Sequence, residues 1–219
     1  SQAQTRRQEA ERAVEILKRY GAKGRGFLTP RPQTSQEALC RPEAEARQDQ
    51  AVSEVLEEES KEAALTAQLE KLAAQRAVLA PWLSLDLPLE SMSTQEMLVQ
   101  LGTLTATRPY EEAVEAVESA SELAYLTQVS VGRELRYCLV ACHDSAQEAV
   151  LGALREFGWS PINLQGWTGT AQENDRCLEQ EQADVQAERK KVREKLAAMI
   201  VRLDSLYQAV DPAALVVPR

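Results

Sequence analysis

The residues best suited to chemistry in this chain are histidine and cysteine, because imidazoles and thiolates act as bases, nucleophiles and metal ligands. His143 is the only histidine, and it directly follows Cys142. Neighbouring strand residues point to opposite faces, so these two side chains are not expected to meet. Cys138 shares a face with Cys142, but the intervening strand separates them by about 13 Å. The pattern predicts no catalytic residue, no metal site and no bound cofactor.

Two other patterns resemble binding or catalytic motifs. The stretch Gly21–Gly26 has the glycines and charges of an anion-binding loop, but it lacks the phosphate-loop order and follows a helix pattern rather than a strand. We interpret it as part of a connector. The paired carboxylates at residues 57–59 and 111–112 are interpreted as solvated helix faces rather than an acid–base pair.

Charge and hydropathy narrow the class of partner. The net charge of −9 repels a phosphate backbone, so nucleic acid is not expected as a partner. No uncharged apolar run approaches the roughly 18–20 residues that a membrane helix needs. The four cysteines, Cys40, Cys138, Cys142 and Cys177, lack the spacing of a disulfide framework and suit a reducing compartment. We expect a soluble, cytoplasmic piece of a longer protein.

Most of this chain is expected to form long helices. Aromatic residues make up only 5% of it, which is typical of helices with aliphatic seams. After a short helix over residues 8–20 and a loop over about 21–41, residues 42–80 carry leucine every seven positions, at Leu65, Leu72 and Leu79. A second helix starts at the capping box Thr170-x-x-Glu173 and repeats an apolar residue every seven, at Leu178, Val185, Val192, Met199 and Leu206.

Each of these helices has a single apolar stripe, and an antiparallel pair buries both stripes most simply. We therefore expect a long antiparallel coiled-coil arm. Glu58 and Glu62 fall on the seam, and the weak positions Gln182 and Arg189 are expected opposite them. Local compliance, or an additional helix that covers the gap, is predicted there.

Between the helices the apolar period changes from 3.6 to 2. Strands are predicted at 97–104, 123–131, 134–142 and 161–164, with one helix capped by Thr107 and another opened by Ser145-x-x-Glu148 and ended by Gly158. The order βαββαβ is that of a ferredoxin-like lobe. The predicted fold class is α+β, with this lobe at the tip of the coiled-coil arm.

The hairpin in this lobe leads to a candidate interaction surface. A type II′ turn at Gly132-Arg133 would pair Leu123 with Cys142 and Tyr125 with Val140. Two lobe helices can cover only one face of the sheet, so the other face needs the arm, a partner or water. We interpret Trp82, and the tryptophans at 159 and 167, as anchors of the lobe. The alternative is a partner-docking patch, and the candidate partner-binding residues are Trp82, Leu123, Tyr125 and Val140.

The chain resembles the soluble N-terminal arm of subunit I of the V-type ATPase/ATP synthase, the counterpart of the eukaryotic a subunit. The similarity lies in Pro81-Trp82-Leu-Ser-Leu-Asp-Leu-Pro-Leu89, a strand ending in Gly102, Leu154-Arg-Glu-Phe-Gly-Trp159 and Trp167-Thr-Gly-Thr-Ala171. Taken in order and spacing, these segments extend the resemblance over about residues 45–205. The resemblance implies a distal lobe with its arm, on the cytoplasmic side of the membrane, which holds peripheral-stalk E/G heterodimers alongside other subunits of the complex.

The resemblance implies three parts and one main function. The parts are residues 1–80, the N-terminal helical arm; 81–168, the lobe; and 169–219, the return helix. The function is that of a non-catalytic stator that resists torque and links the ion-translocating membrane part to the peripheral stalks. The membrane-embedded half of such a subunit is not among these residues. A ligand-sensing ferredoxin-like regulator and a generic coiled-coil spacer are the alternatives.

Overall fold

The computed structural model describes residues 2–20, 42–90, 93–164 and 166–199. The elements in chain order are helix α1 (Gln2–Tyr20), helix α2 (Pro42–Leu79), a 3₁₀ turn (Ala80–Trp82), strand β1 (Met97–Thr105), helix α3 (Tyr110–Ala120), strand β2 (Ala124–Val131), strand β3 (Leu135–His143), a 3₁₀ turn (Asp144–Ala146), helix α4 (Gln147–Arg155), strand β4 (Ser160–Pro161) and helix α5 (Ala171–Ala198). The predicted loop over 21–41, Cys40 and the seam position Leu206 lie outside the described residues.

The predicted α+β class is confirmed: the described residues form five helices and one four-stranded antiparallel sheet. The strand order β2-β3-β1-β4 is that of the split β-α-β plan. The chain divides into two compact units, of which the first comprises residues 1–70 and 183–219 and the second comprises residues 71–182. The coiled-coil arm and the three-part division stay predictions.

In the first unit, three helices share one apolar core. Helix α1 buries one face, α2 contributes its early turns and α5 its late turns, with members Ala10, Ala13, Val14, Ile16, Leu17, Ala51, Val52, Val55, Val192, Leu196 and Met199. The spacing of these residues within each helix is the 3.6-residue period of an amphipathic face. Helix α1 therefore packs on the part of α2 next to Glu58 and Glu62, where an additional helix was predicted.

In the second unit, α3 and α4 cover one face of the sheet. The core between them comprises Leu104, Ala113, Val117, Leu126, Cys138, Val140, Cys142, Val150, Leu154 and Phe157. Gly158, at φ +74°, lets the chain turn back after α4 into β4. Trp159 then lies against Gly102 of β1, where a Cβ atom would come within 2.4 Å of the indole ring. This close approach explains why β1 has glycine at that position.

The helix starts follow the predictions in part. The predicted box at the start of α5 is present, since the Thr170 amide donates to Glu173 at 2.9 Å and the Glu173 amide donates to the Thr170 hydroxyl at 3.2 Å. Helix α3 has Pro109 at its N-cap with no side-chain capping bond, so the predicted cap by Thr107 is wrong. The box at Ser145 is also wrong, because the Ser145 amide donates to His143 and α4 starts two residues later.

Candidate functional site

The register of the β2–β3 hairpin differs from the predicted one, and this changes which residues share a face. The pairs are Ala124–Cys142, Leu126–Val140 and Gln128–Cys138, with a bulge between Gln128 and Ser130. Beyond the bulge, Ser130 and Val131 pair with Tyr137 and Arg136, and the Gly132 amide donates to the Leu135 carbonyl at 2.8 Å. The turn residues are therefore 133 and 134. Gly132 does not have the positive φ that the first central residue of a type II′ turn requires. The predicted type II′ turn is wrong.

The bulge explains the error. It adds one residue to β2, and because strand side chains alternate, every β2 residue before it exchanges faces relative to β3. Leu126 therefore faces α3 and α4 together with Val140, whereas Tyr125 lies beside Ala141 on the opposite face. The predicted pairings of Leu123 with Cys142 and of Tyr125 with Val140 are wrong.

The four predicted partner-binding residues occupy three different environments. Val140 is fully buried under the helices, and Trp82 is 1% exposed. Leu123 and Tyr125 are 68% and 63% exposed, and they lie on the sheet face opposite Val140. Partner binding stays a prediction, and only Leu123 and Tyr125 present accessible side chains for it.

Trp82 fastens the segment after α2 onto the second face of the sheet. Its ring meets Tyr137 of β3 edge to face, at 5.5 Å between centroids and 85° between planes. Beside it, the Ser130 hydroxyl donates to the Pro81 carbonyl at 2.7 Å and the Ser84 hydroxyl donates to the Val129 carbonyl at 3.0 Å. This geometry fits the anchoring interpretation of Trp82, with the segment covering part of the face that α3 and α4 leave open.

The uncovered end of the same face is apolar. Met97 pairs with His143, whose amide donates to the Leu123 carbonyl, so Leu123, His143 and Met97 lie side by side across three strands. The next row on this face is Tyr125, Ala141 and Val99. We call the exposed side chains of Met97, Leu123 and Tyr125 the sheet-end patch. The sequence prediction missed Met97, because its place beside Leu123 follows from sheet order rather than from local pattern.

Three acidic residues adjoin the residues of the sheet-end patch at the same end of the sheet. Glu122, Asp144 and Glu96 each stand one position beyond the row of Leu123, His143 and Met97, and all three are exposed. The Asp144 amide donates to the Glu96 carbonyl at 2.8 Å, which holds these two positions side by side. The three adjoining segments, 94–99, 121–125 and 141–145, contain no lysine or arginine. We call these three carboxylates the acidic rim.

The first unit contains a second notable cluster, in which two buried glutamates join α2 to α5. Glu62 accepts bonds from Arg189 at 2.9 Å and Arg193 at 2.8 Å, and Glu58 accepts one from Lys195 at 2.6 Å. The bond from Lys195 holds the pKa of Glu58 below its ordinary value. Burial alone would raise the pKa of Glu62, but the two arginine bonds keep it below its ordinary value.

The sequence placed Glu58 and Glu62 on the seam but identified only one of their partners. Arg189 does lie opposite Glu62, whereas Gln182 accepts a bond from Arg76 at 3.0 Å in the second unit. Arg76 also makes a two-bond pair with Asp175, at 2.7 and 3.1 Å. Each unit therefore has its own charge pairs between α2 and α5.

Of the described residues suited to chemistry, Cys138 and Cys142 are buried, His143 is hydrogen-bonded locally, and Cys177 is exposed on α5. Burial raises the pKa of the Cys138 thiol to about 11, and it also raises the pKa of the Cys142 thiol. Both are therefore poor nucleophiles near neutral pH. The ring Nδ1 of His143 lies 2.8 Å from the Ser145 hydroxyl and accepts the Ser145 amide, so it acts as a local cap. Across the described part of the chain, no cluster of His, Cys, Asp or Glu could hold a metal ion.

A cleft of about 650 Å³ lies beside β1 and β4 in the second unit. Pro161, Ile162 and Trp167 contribute apolar surface, and Glu90 and Asn163 contribute polar groups. The Glu90 carboxylate accepts the Gly169 amide at 2.7 Å. The cleft is open and has the size of a small-molecule site.

No helix within the described ranges is both long enough and apolar enough to span a bilayer. No family model matches the chain, and no curated protein matches it. Among solved structures, it is similar to one described as "Crystal structure of the cytoplasmic N-terminal domain of subunit I, homolog of subunit a, of V-ATPase". The identity is 18%, the match covers 97% of this chain and 69% of that chain, and the TM-score is 0.48. These words describe the other protein and assign no activity to this chain.

Proposed function

We propose that this chain is a non-catalytic stator or scaffold fragment of a rotary V-type ATPase, acting on the cytoplasmic side of the membrane. In this role it links the membrane ion-translocating part to the peripheral-stalk E/G heterodimers and resists torque. The resemblance of residues 81–89, 154–159 and 167–171 to subunit I supports the family. The observation that carries the mechanical part is the set of charge pairs between α2 and α5.

These pairs resist sliding of one helix past the other. Within the first unit, Glu58 pairs with Lys195 while Glu62 pairs with Arg189 and Arg193, which fixes an antiparallel register. In the second unit, Arg76 pairs with Asp175 through two bonds. A shift by one helical turn would separate Glu58 from Lys195 and would remove one of the two arginines from Glu62. Leaving a buried charge without its full set of partners is costly. Sliding is therefore opposed by specific bonds as well as by apolar packing.

The chemistry of the described residues agrees with a structural role. The buried thiols are protonated, the only histidine caps a turn, and the buried carboxylates are paired with cationic side chains of the neighbouring helix. A general base or nucleophile needs a poised pKa and access to substrate, and the buried thiols Cys138 and Cys142 have neither property.

Co-purification with a peripheral-stalk E/G heterodimer tests this function. Tagged chain and untagged E/G subunits from the same source would be co-expressed and captured, with a capture on tag alone as the control. We expect a stoichiometric complex that survives gel filtration. Failure of the folded chain to retain the heterodimer would contradict the proposal.

A ligand-sensing regulator is the second candidate, and the cleft beside β1 and β4 is the observation that favours it. A thermal-shift screen with amino acids and other small metabolites separates the two functions. A ligand that stabilises the chain, and whose effect disappears in Trp167→Ala, would favour the sensor. The stator proposal predicts no such ligand.

A further inference from the structure

We propose that the sheet-end patch and its acidic rim form a docking site for a partner helix that carries a leucine-type apolar stripe flanked by lysine or arginine. This inference rests on the proposed scaffold function and names the kind of partner that the second unit would hold. Three features of the second unit select this occupant: the exposure of the patch, the protection of the sheet edge and the charge of the adjoining residues.

The patch is exposed although the middle of its sheet face is covered. Leu123, Tyr125 and Met97 are 68%, 63% and 37% exposed, whereas Leu101 and Leu139 on the same face are buried. Large apolar side chains gathered on one side of a sheet and exposed to water are a frequent mark of a protein–protein contact. The aromatic ring of Tyr125 also has the chemistry of an interface anchor.

The edge of the sheet disfavours an added strand. On β2, the Tyr110 hydroxyl already donates to the Leu126 carbonyl at 2.9 Å, and the Ser84 hydroxyl donates to the Val129 carbonyl. The bulge between Gln128 and Ser130 further interrupts the ladder. Strand addition depends on a row of free backbone groups. A partner must therefore pack on the face of the sheet, and a helix presents an apolar stripe that suits a flat face.

Charge selects a basic partner over the other occupants. Glu96, Glu122 and Asp144 stand at adjacent positions, and no lysine or arginine occurs in the segments that form the patch. A second copy of this chain would bring the same carboxylates together, and an anionic membrane surface would be repelled by them. A helix with lysine or arginine beside its apolar stripe gains attraction instead.

A peptide titration followed by nuclear magnetic resonance tests the site. The labelled chain is titrated with a synthetic helix that has leucine at i, i+3, i+4 and i+7 and lysine elsewhere, and with the same helix carrying glutamate in place of lysine. We expect the lysine helix to shift the amide signals of residues 97–99 and 123–125, and the glutamate helix to leave them unchanged. Shifts that map elsewhere, or equal binding of both helices, would overturn the proposal.

Variants of the patch provide the matched comparison. Leu123→Ser and Tyr125→Ser should each weaken binding of the lysine helix by about tenfold, the effect of removing an interface anchor. Val131→Ser removes an equally exposed apolar residue at the other end of β2 and should leave binding unchanged. The double change Glu96→Gln with Glu122→Gln keeps the apolar surface and should weaken binding mainly at low salt. Unchanged binding in Leu123→Ser, in Tyr125→Ser and in the double glutamate change would contradict the proposal.

Further outcomes separate this inference from the scaffold function. If the E/G heterodimer binds Tyr125→Ser as well as it binds the unmodified chain, the site assignment fails and the scaffold function stands. Should the lysine helix bind the patch while E/G does not bind the chain, the scaffold function fails and the site stands. If the chain sediments as a dimer and Tyr125→Ser abolishes the dimer, the occupant of the site is a second copy and the helix proposal is wrong. If the chain binds phosphatidylserine vesicles and Tyr125→Ser abolishes that binding, the occupant is a membrane and the helix proposal is again wrong.

Discussion

Replacing Glu62 with glutamine removes one buried charge from the first unit while keeping the shape of the side chain. The Glu62 side chain is 9% exposed and accepts bonds from Arg189 and Arg193 at 2.9 and 2.8 Å. Both bonds end on Oε1, and a neutral amide oxygen in its place can still accept them, but it no longer compensates the charge of the two arginines. Glu62→Gln therefore isolates the contribution of charge to holding α2 against α5.

The size of the effect follows from the exposure of the two cations. A hydrogen bond to a charged group contributes about 1.5–3 kcal/mol where both partners stay buried. The Arg189 and Arg193 side chains are 26% and 47% exposed, so each regains part of its hydration after the change. With that discount, we expect a loss of about 2–3 kcal/mol for the two bonds together.

Urea unfolding followed by circular dichroism measures this loss. At a typical slope of about 2 kcal/mol per M, the midpoint of Glu62→Gln should fall by about 1 M or more. Glu57→Gln is the matched control on the same helix, because the Glu57 side chain is 66% exposed. Its unfolding free energy should change by less than about 0.5 kcal/mol.

The dependence on pH gives an independent check. The folded pKa of Glu62 lies below its ordinary value, so its stabilisation is complete above an unfolded pKa of about 4.3 and is lost as the pH falls through the folded pKa. Glu62→Gln should therefore lose less stability than the unmodified chain on acidification below about pH 5. A variant as stable as the parent at pH 7, with the same acid profile, would refute the reasoning.

Two other substitutions test the second unit. Gly102→Ala should lower its unfolding free energy by about 1–3 kcal/mol in a tryptophan-fluorescence titration, because the new Cβ would lie 2.4 Å from Trp159. Gly152→Ala has nothing within 4 Å and should be neutral or stabilising by up to about 1 kcal/mol; an equal loss in both would contradict the packing argument. Thr170→Ala should destabilise the start of α5 by about 1 kcal/mol and speed hydrogen exchange at Glu173, whereas Thr170→Ser should not.

Features set by short-range chemistry were predictable from the sequence. The box of Thr170 and Glu173 satisfies backbone groups within one turn, so its residues alone determine it. The seven-residue spacing on α5 likewise identified a buried stripe, since Leu178, Val185 and Val192 are all buried. The alternation of apolar residues was sufficient to predict β1, β2 and β3 and, with the chain order, the α+β class, whereas β4 spans Ser160–Pro161 rather than 161–164.

Features set by distant contacts were not predictable. The bulge in β2 interrupts the alternation of that strand, because Leu126 and Gln128 lie on one face and Ser130 on the other. It is defined by the alignment of β2 with β3, so it cannot be read from either strand alone. The resulting change of face separated Tyr125 from Val140. Similarly, the pairing of Glu58 with Lys195 depends on the relative register of two helices, and each charge alone is typical of a solvated helix surface.

A charge-exchange experiment on Arg76 and Asp175 tests most directly the claim that specific pairs hold α2 and α5 antiparallel. Their two bonds, at 2.7 and 3.1 Å, make this a bidentate pair with side chains 29% and 17% exposed. Arg76→Asp and Asp175→Arg should each lower the unfolding free energy, and the double exchange should recover about 1–2 kcal/mol of the summed loss. A double exchange whose loss of unfolding free energy equals or exceeds the sum of the two single losses would contradict the account.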